Sequence, residues 1–387
     1  MRIAQVIFRY LPMVGGAEVY ADCLRRAFAP IASEQTIFQS ETGATGDGVV
    51  SVPVPHRTGF KLVDFNLALR AYRAELGRFD VVVVHNPEHL ARWMNRRRSI
   101  LLSHGATWTH EHRAWRRSLR RRSMQTGFRR AGAVVANDSF VPRELGVPAL
   151  PGERFHQEIA PRIWFVPNAV DPEIFRPPVA GEAEPRIAGL PGSDQGPLVL
   201  VPRNLTRARG IDLAIAAFAA AHALPATAQL VIVGDAIRDM PTSVRYRAEL
   251  DALVGAHRLQ GRVHFLGGVR REQMPALYRA ATLTLVPTRY SEGTSLAALE
   301  SMATGVATLT TAVEGLLDLP GPHVPPEIPA LAAGLDDLWA RREEIAATQR
   351  HAVLRDFCRQ RWEESWRAIA RRIGAAEAER NAGGRPS

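Results

Sequence analysis

Short runs of aliphatic and β-branched residues recur along the chain, each followed by a longer stretch with helical spacing. This alternation limits the fold more than any other feature. Parallel strands covered on both faces read as near-continuous apolar runs, and the connection between them has to be long enough to hold a helix. The first series reads IAQVIF near Arg2, TIFQS near Thr36, VVVVH ending at His85, SILLSH ending at His104, AVVAN ending at Asn137 and IWFVPN ending at Asn168. Helices fit between these runs, for example from Ala17 to Phe28 and from Val63 to Leu76. The second series reads LVLVPR to Arg203, QLVIVGD to Asp235, VHFLG to Gly267, LTLVP to Pro287 and VATLTT to Thr311, with a helix from Ile211 to Ala223 after the first of them. The fold class is therefore α/β, with two doubly wound domains, and a length of 387 residues suits two domains better than one.

The Pro-, Gly- and Ala-rich segment 177–197 shows no periodicity and is expected to be a linker or a loop beside it. The first domain is then residues 1–176, and the second is 198–354. Helical spacing returns from Ala330 to Leu338 and from Phe357 to Ile373, and residues 375–387 are expected to be disordered.

Composition excludes several classes. Two cysteines, Cys23 and Cys358, cannot form a disulfide framework or a metal cluster, which leads to the expectation of a reducing, cytoplasmic setting and no metal. No run approaches the length of a membrane span. The net charge of +10 is almost wholly arginine, Lys61 being the only lysine, and it points to an anionic partner. Nucleic acid is disfavoured, because no recognition motif is present and aromatic residues make up 7% of the chain.

The segment YSEGTSLAALESMATG follows the strand ending at Pro287, with Thr294 and Ser295 as candidate helix caps. A helix starting at the carboxyl edge of a parallel sheet presents free NH groups and the positive end of its dipole, an arrangement that favours phosphate. Glu292 precedes this helix and Glu300 lies about two turns into it, so they are too far apart for paired acid and base chemistry. Two acids flanking an anion site would suit the hydroxyls of a sugar and a ribose; a capped helix with two solvated glutamates is the plain alternative. Arg203 ends one strand and Arg209 follows six residues later, just before Gly210, so both can clamp a diphosphate, or stand as surface arginines in a loop. Gly15 and Gly16 in YLPMVGGAE permit close approach of a ligand, although the dinucleotide fingerprint is absent and a simple strand-to-helix turn is the plainer explanation. His104 and His85 both end strands at a carboxyl edge, where either can bond a hydroxyl or phosphate, and the sequence does not rank them.

Together these pieces resemble the family 4 glycosyltransferases, retaining enzymes of GT-B fold whose two Rossmann-like domains face a cleft. The resemblance covers most of the chain. It rests on Glu292, Gly293, Thr294, Ser295, Leu296 and Glu300, on Gly15 to Glu18, on the His104–Gly105 pair, on the stretch around Asn168 and Asp171, and on Gly234 and Asp235. It implies that Glu292 lies near the transferred sugar, that Glu300 holds the ribose, and that Ser295 and Leu296 meet the diphosphate. Val269 and Arg270 are expected to meet the base, and His104, Arg203 and Arg209 to share in transfer with Glu292. The family usually pairs an arginine with a lysine at the diphosphate, and here the second place is held by Arg209. The C-terminal helix, about residues 355–374, is expected to join the first domain.

The implied activity is transfer of a hexose-type sugar from a UDP- or GDP-sugar to a glycan or lipid-linked acceptor in surface polysaccharide synthesis, with retained configuration and no cofactor. A nucleotide-sugar epimerase of the same architecture and a catalytically silent glycan-binding paralogue are the alternatives. Between His104 and the strand AVVAN lies an arginine-rich stretch, Arg113 to Arg130. It reads either as a helix on an anionic membrane surface, at the inner face of the cell membrane, or as a solvated helix whose Trp115, Leu119 and Phe128 pack inward.

Overall fold

The computed structural model describes all residues except 13–15, 56, 59–60, 87–89, 91–92, 106–112, 145, 148–154, 182–183, 237–240, 291 and 384–387. Its chain divides into two compact units, Met1–Pro167 with Gln360–Ser387, and Asn168–Arg359.

The first unit holds strands β1 (Arg2–Val6), β2 (Glu34–Ser40), β3 (Val49–Val52), β4 (Val81–His85), β5 (Ser99–Ser103), β6 (Ala133–Ala136), β7 (Gln157–Ala160) and β8 (Ile163–Phe165). They form one sheet in the order β3-β2-β1-β4-β5-β6-β8-β7, parallel except for the antiparallel edge strand β7. β1, β4, β5 and β6 carry almost uninterrupted apolar residues because both faces are covered, and Val81, Val83, Val84, Ile100, Leu101 and Leu102 are fully buried. The strand order reverses at the β1/β4 pair, which in an open α/β sheet opens a crevice beyond the carboxyl ends of the strands.

The second unit holds β9 (Leu198–Pro202), β10 (Gln229–Val233), β11 (Val263–Gly267), β12 (Leu283–Val286), β13 (Ala307–Thr311) and β14 (His323–Val324), in the order β11-β10-β9-β12-β13-β14. All its pairings are parallel, and its reversal point is β9/β12. Helices Ile211–Ala220 and Ile328–Ala340 bury Ile211, Ile215, Leu331 and Leu335 against one core.

Three expectations need correction. Segment 177–197 is not a linker, since it belongs to the second unit, buries Ile187 and ties Glu184 to Arg279. Its Pro and Gly content signals an irregular backbone, and side-chain packing still holds it. The division accordingly falls between Pro167 and Asn168, ahead of the boundary read at 176. The segment expected to be disordered from 375 is helical as far as the helix Arg359–Gly383 extends, and residues 384–387 lie outside the described residues. From Gln360 onward that helix belongs to the first unit, where Trp362 and Trp366 both donate their indole NH to the Tyr20 hydroxyl, at 3.2 and 2.9 Å.

Candidate active site

In the second unit the candidate residues gather at the β9/β12 reversal. Arg203 directly follows β9 and is 7% exposed. Its guanidinium spans Glu292, with Nη2 donating to Oε2 at 2.7 Å and Nη1 to Oε1 at 3.5 Å, and it also donates to the hydroxyls of Thr288 and Ser295. Arg209 reaches the same carboxylate. It is placed there by a short helical turn, Arg207–Arg209, ending at Gly210 in the left-handed region with φ of 68°. A Cβ at Gly210 would lie 1.9 Å from the carbonyl oxygen of Pro287, so only glycine allows the two loops to meet.

Two guanidinium groups therefore share one carboxylate in a mostly buried site, leaving positive charge in excess. Burial pushes the pKa of Arg203 down to about 10. The charge of Arg203, with burial second, pushes that of Arg209 down to about 9. Both remain cationic at neutral pH, and the direction of both shifts means that one more anion is favoured.

The helix Leu296–Thr304 begins beside this cluster. Ser295 stands at its N-cap position, but its side chain makes no capping hydrogen bond, which corrects the capping expectation. The Ser295 hydroxyl accepts from Arg203 and the Thr294 hydroxyl accepts from the backbone NH of Asn168 at 2.7 Å. Asn168 also donates its amide to the Thr294 carbonyl, so the turn Gly293–Ser295 is held from two sides. The first NH groups of the helix are left without a side-chain cap at the edge where the arginines lie.

Glu300 is 2% exposed, and its partners differ from those of Glu292. Tyr278 donates its hydroxyl to Oε2 at 3.1 Å and Arg271 pairs with Oε1. Burial raises the pKa of Glu300, with Arg271 and Tyr278 opposing the shift, and burial raises that of Tyr278 well above the ordinary value. The Arg271 guanidinium lies 5.0 Å over the Phe175 ring, which fixes its direction. Arg270, the residue singled out in the sequence, is exposed and turns to Gln273, at 3.4 Å; Val269 beside it is half-buried. Gly234 serves the backbone. Its φ is 144°, and a Cβ there would lie 2.5 Å from the Arg203 carbonyl oxygen, so it lets the ends of β9 and β10 close up beneath Arg203. Asp235 is exposed beyond it, its carbonyl accepting from Leu205 NH at 3.0 Å.

In the first unit, His85 at the end of β4 is fully buried and His104 just after β5 is partly exposed. The structure thus ranks the two histidines. His104 faces outward, and His85 stands behind it, its Nδ1 3.1 Å from His104 Nε2. Gly16 begins the helix Gly16–Phe28 with open space where a Cβ would be, whereas Gly15 lies outside the described residues. Thr288, Asn168, Tyr278 and Arg271 in the second unit, and Gln5 in the first, were not assigned contacts from sequence. Asn168 had a signal in the matched stretch around it and Arg271 in its neighbour Arg270, one position away; the other three had none.

Comparison with known proteins bears on this arrangement. The sequence profile of "Glycosyl transferases group 1" matches residues 187–350, and that of "Glycosyl transferase 4-like domain" matches residues 15–156. The chain belongs to the group 1, family 4 glycosyltransferases. A stretch of 160 residues, 40% of the chain, is 35% identical to D-inositol 3-phosphate glycosyltransferase of Xylanimonas cellulosilytica, and spans 36% of that relative's length. Among solved structures, sucrose-phosphate synthase from Thermosynechococcus elongatus superposes with a TM-score of 0.76 at 21% identity, over 99% of this chain and 100% of that one. Anabaena HepE in complex with UDP-glucose superposes with a TM-score of 0.69 at 17% identity, over 98% and 100%. The fold of the chain is GT-B, with two domains built on largely parallel sheets. Among the described residues no cluster of three metal-ligating side chains occurs, and no helix is long and apolar enough to cross a membrane.

Proposed function

We propose that this glycosyltransferase moves a hexose-type sugar from a UDP- or GDP-sugar to a glycan or lipid-linked acceptor in surface polysaccharide synthesis, with retention of configuration and no metal or other cofactor. The observation that carries this reading is the surplus of positive charge where Arg203 and Arg209 share Glu292 next to an uncapped helix start. A diphosphate supplies the missing anion. As the sugar–phosphate bond breaks, negative charge grows on the leaving diphosphate, and preorganised guanidinium and NH donors stabilise it without rearrangement. Glu292, displaced from the arginines, is then free to accept from hydroxyls of the transferred sugar, and Glu300 from those of the ribose. The solved complex of Anabaena HepE with UDP-glucose, of the same fold, supports a nucleotide-sugar donor.

A thermal-shift panel of UDP, GDP and ADP tests the donor site. A matching nucleotide at a hundred times its dissociation constant should stabilise the protein by about 2.7 kcal/mol. If none of the three raises the melting temperature, the donor assignment fails. Single-turnover reaction with radiolabelled donor then separates transfer from epimerisation, which inverts the sugar without releasing nucleotide, and from a silent binding protein, which does neither.

Membrane attachment at the inner face of the membrane has its own support. The helix Ala114–Arg130 buries Met124 and Phe128, while Trp115 and Leu119, one turn apart, are 57% and 60% exposed among arginines. Exposed apolar anchors ringed by cations suit an anionic lipid surface, where each arginine contributes about 1 kcal/mol. Flotation with anionic vesicles should show binding that weakens with salt and is lost on replacing Trp115 and Leu119 by serine. No flotation of the unaltered protein removes the membrane reading.

A further inference from the structure

The polar chain behind His104 has a direction. Gln5 lies on β1 with its amide Nε2 3.1 Å from the backbone carbonyl of Ala21. A carbonyl oxygen only accepts, so this end of the side chain has to be the NH2 group, and Oε1 faces the other way. That Oε1 lies 2.9 Å from His85 Nε2. An amide oxygen also only accepts, so His85 carries its proton on Nε2. An imidazolium at this fully buried position would be costly, and the neutral ring therefore turns a lone pair on Nδ1 toward His104 Nε2, 3.1 Å away. His104 in turn has to donate from Nε2, which leaves its Nδ1 as a lone pair.

Tyr20 closes the other side of His104 edge-on, at 5.3 Å and 88°. Its hydroxyl accepts from Trp362 and Trp366, and no hydrogen bond joins it to the histidine ring. His104 Nδ1 has no hydrogen-bond partner among the described residues, and the ring is partly exposed. Desolvation of the ring by burial lowers the pKa of His104 to about 4, so the ring stays neutral under ordinary conditions.

We propose that Gln5 and His85 are positioning residues that hold His104 as the neutral Nε2–H tautomer, so that its Nδ1 accepts a hydrogen bond from a hydroxyl of the sugar ligand. The assignment rests on the glycosyl-transfer reading only for what His104 meets. It limits the ligand group as well: a neutral lone pair attracts an O–H and repels a phosphate oxygen, so this edge of the first unit selects a sugar hydroxyl over an anion. The β1/β4 reversal would in this way recognise polarity without charge.

The test uses the full chain labelled with nitrogen-15 at histidine. Long-range proton–nitrogen correlation near neutral pH should show His85 and His104 both protonated at Nε2 and bare at Nδ1. A His104 protonated at Nδ1, or an imidazolium there, overturns the proposal. His85→Asn keeps an acceptor oxygen near the Nδ1 position, so it should preserve the His104 tautomer and most of kcat/KM. His85→Phe removes the acceptor, so it should mix the tautomers and lower kcat/KM about tenfold, the worth of one neutral hydrogen bond. A folded His85→Phe protein with unchanged tautomer and rate also overturns it, and the spectrum of the unaltered protein decides if that variant does not fold. The tautomer is read without substrate. Absence of transfer by the unaltered protein therefore counts against the proposed function, and a wrong tautomer in an active enzyme counts against the relay alone.

Discussion

The two sheets place polar residues at equivalent positions and give them different electrical character, one charged and one neutral. At the β9/β12 reversal, Arg203 and Arg209 crowd one carboxylate and carry net positive charge. At the β1/β4 reversal, Gln5, His85 and His104 form a chain of neutral donors and acceptors. Topology explains why both sets lie at a carboxyl edge, and the ligand chemistry proposed above would explain why they differ. A leaving diphosphate needs charge to meet charge, whereas a sugar hydroxyl is oriented by one hydrogen bond without desolvating an ion.

The sharpest way to break this contrast is to compare Arg203→Ala with His104→Asn. Arg203→Ala removes the buried cation that spans Glu292, Thr288 and Ser295. We expect kcat/KM for donor to fall about 10²- to 10³-fold, as when one preorganised donor to a developing anion is lost. Arg203→Lys should recover only part, because an ammonium cannot span both carboxylate oxygens. His104→Asn should cost about tenfold. Steady-state kinetics on folded variants would defeat the comparison if His104→Asn were the more damaging change.

Glu292→Gln sharpens it further, because the same change should move binding and turnover in opposite directions. Without its charge, the carboxamide releases both guanidinium groups, and the free nucleoside diphosphate should bind about fivefold more tightly, on the order of 1 kcal/mol. Turnover should fall at the same time, because the group proposed to hold the sugar is weakened. Calorimetric titration of the nucleotide together with single-turnover rates checks both halves. Weaker nucleotide binding in this variant would mean that the carboxylate assists the nucleotide and does not compete with it.

How far these features could be read in the sequence depended on what each signal reports. β1, β4, β5, β9, β10, β12 and β13 were legible because strands buried on both faces must be apolar throughout. β3, β7 and β14 were not, being two to four residues long and largely without fully buried residues. Glu292, Glu300, Arg203 and Arg209 were visible through spacing from strand ends. Gln5 was not, because one amide in an apolar strand looks like a tolerated exception until Ala21 and His85 are found at its two ends. Arg271 was missed by one position, since loop residues in the run VRREQ differ in direction and not in type. Segment 177–197 misled for a related reason: composition reports backbone irregularity, and the burial of Ile187 depends on a partner surface that composition does not reveal.

The smallest effect concerns the second acid of the charged edge. Burial raises the pKa of Glu300 above its ordinary value of 4.5, even with Arg271 and Tyr278 opposing the shift. Between that ordinary value and the raised one, the folded protein holds a proton that the unfolded chain has released. The folded state binds more protons there, so stability falls as pH rises across the window and the penalty stays constant above it. Glu300→Gln has no such proton to lose, and its amide can still accept from the Tyr278 hydroxyl. The melting temperature of the variant relative to the unaltered protein should therefore rise with pH from about 4.5 upward, by a few degrees at most. Calorimetric scans of the two proteins over this range supply the difference. A relative melting temperature that falls with pH would show that Arg271 holds Glu300 as a stabilised anion, and the charged edge would then carry a second, fully compensated ion pair beside the under-compensated one at Glu292.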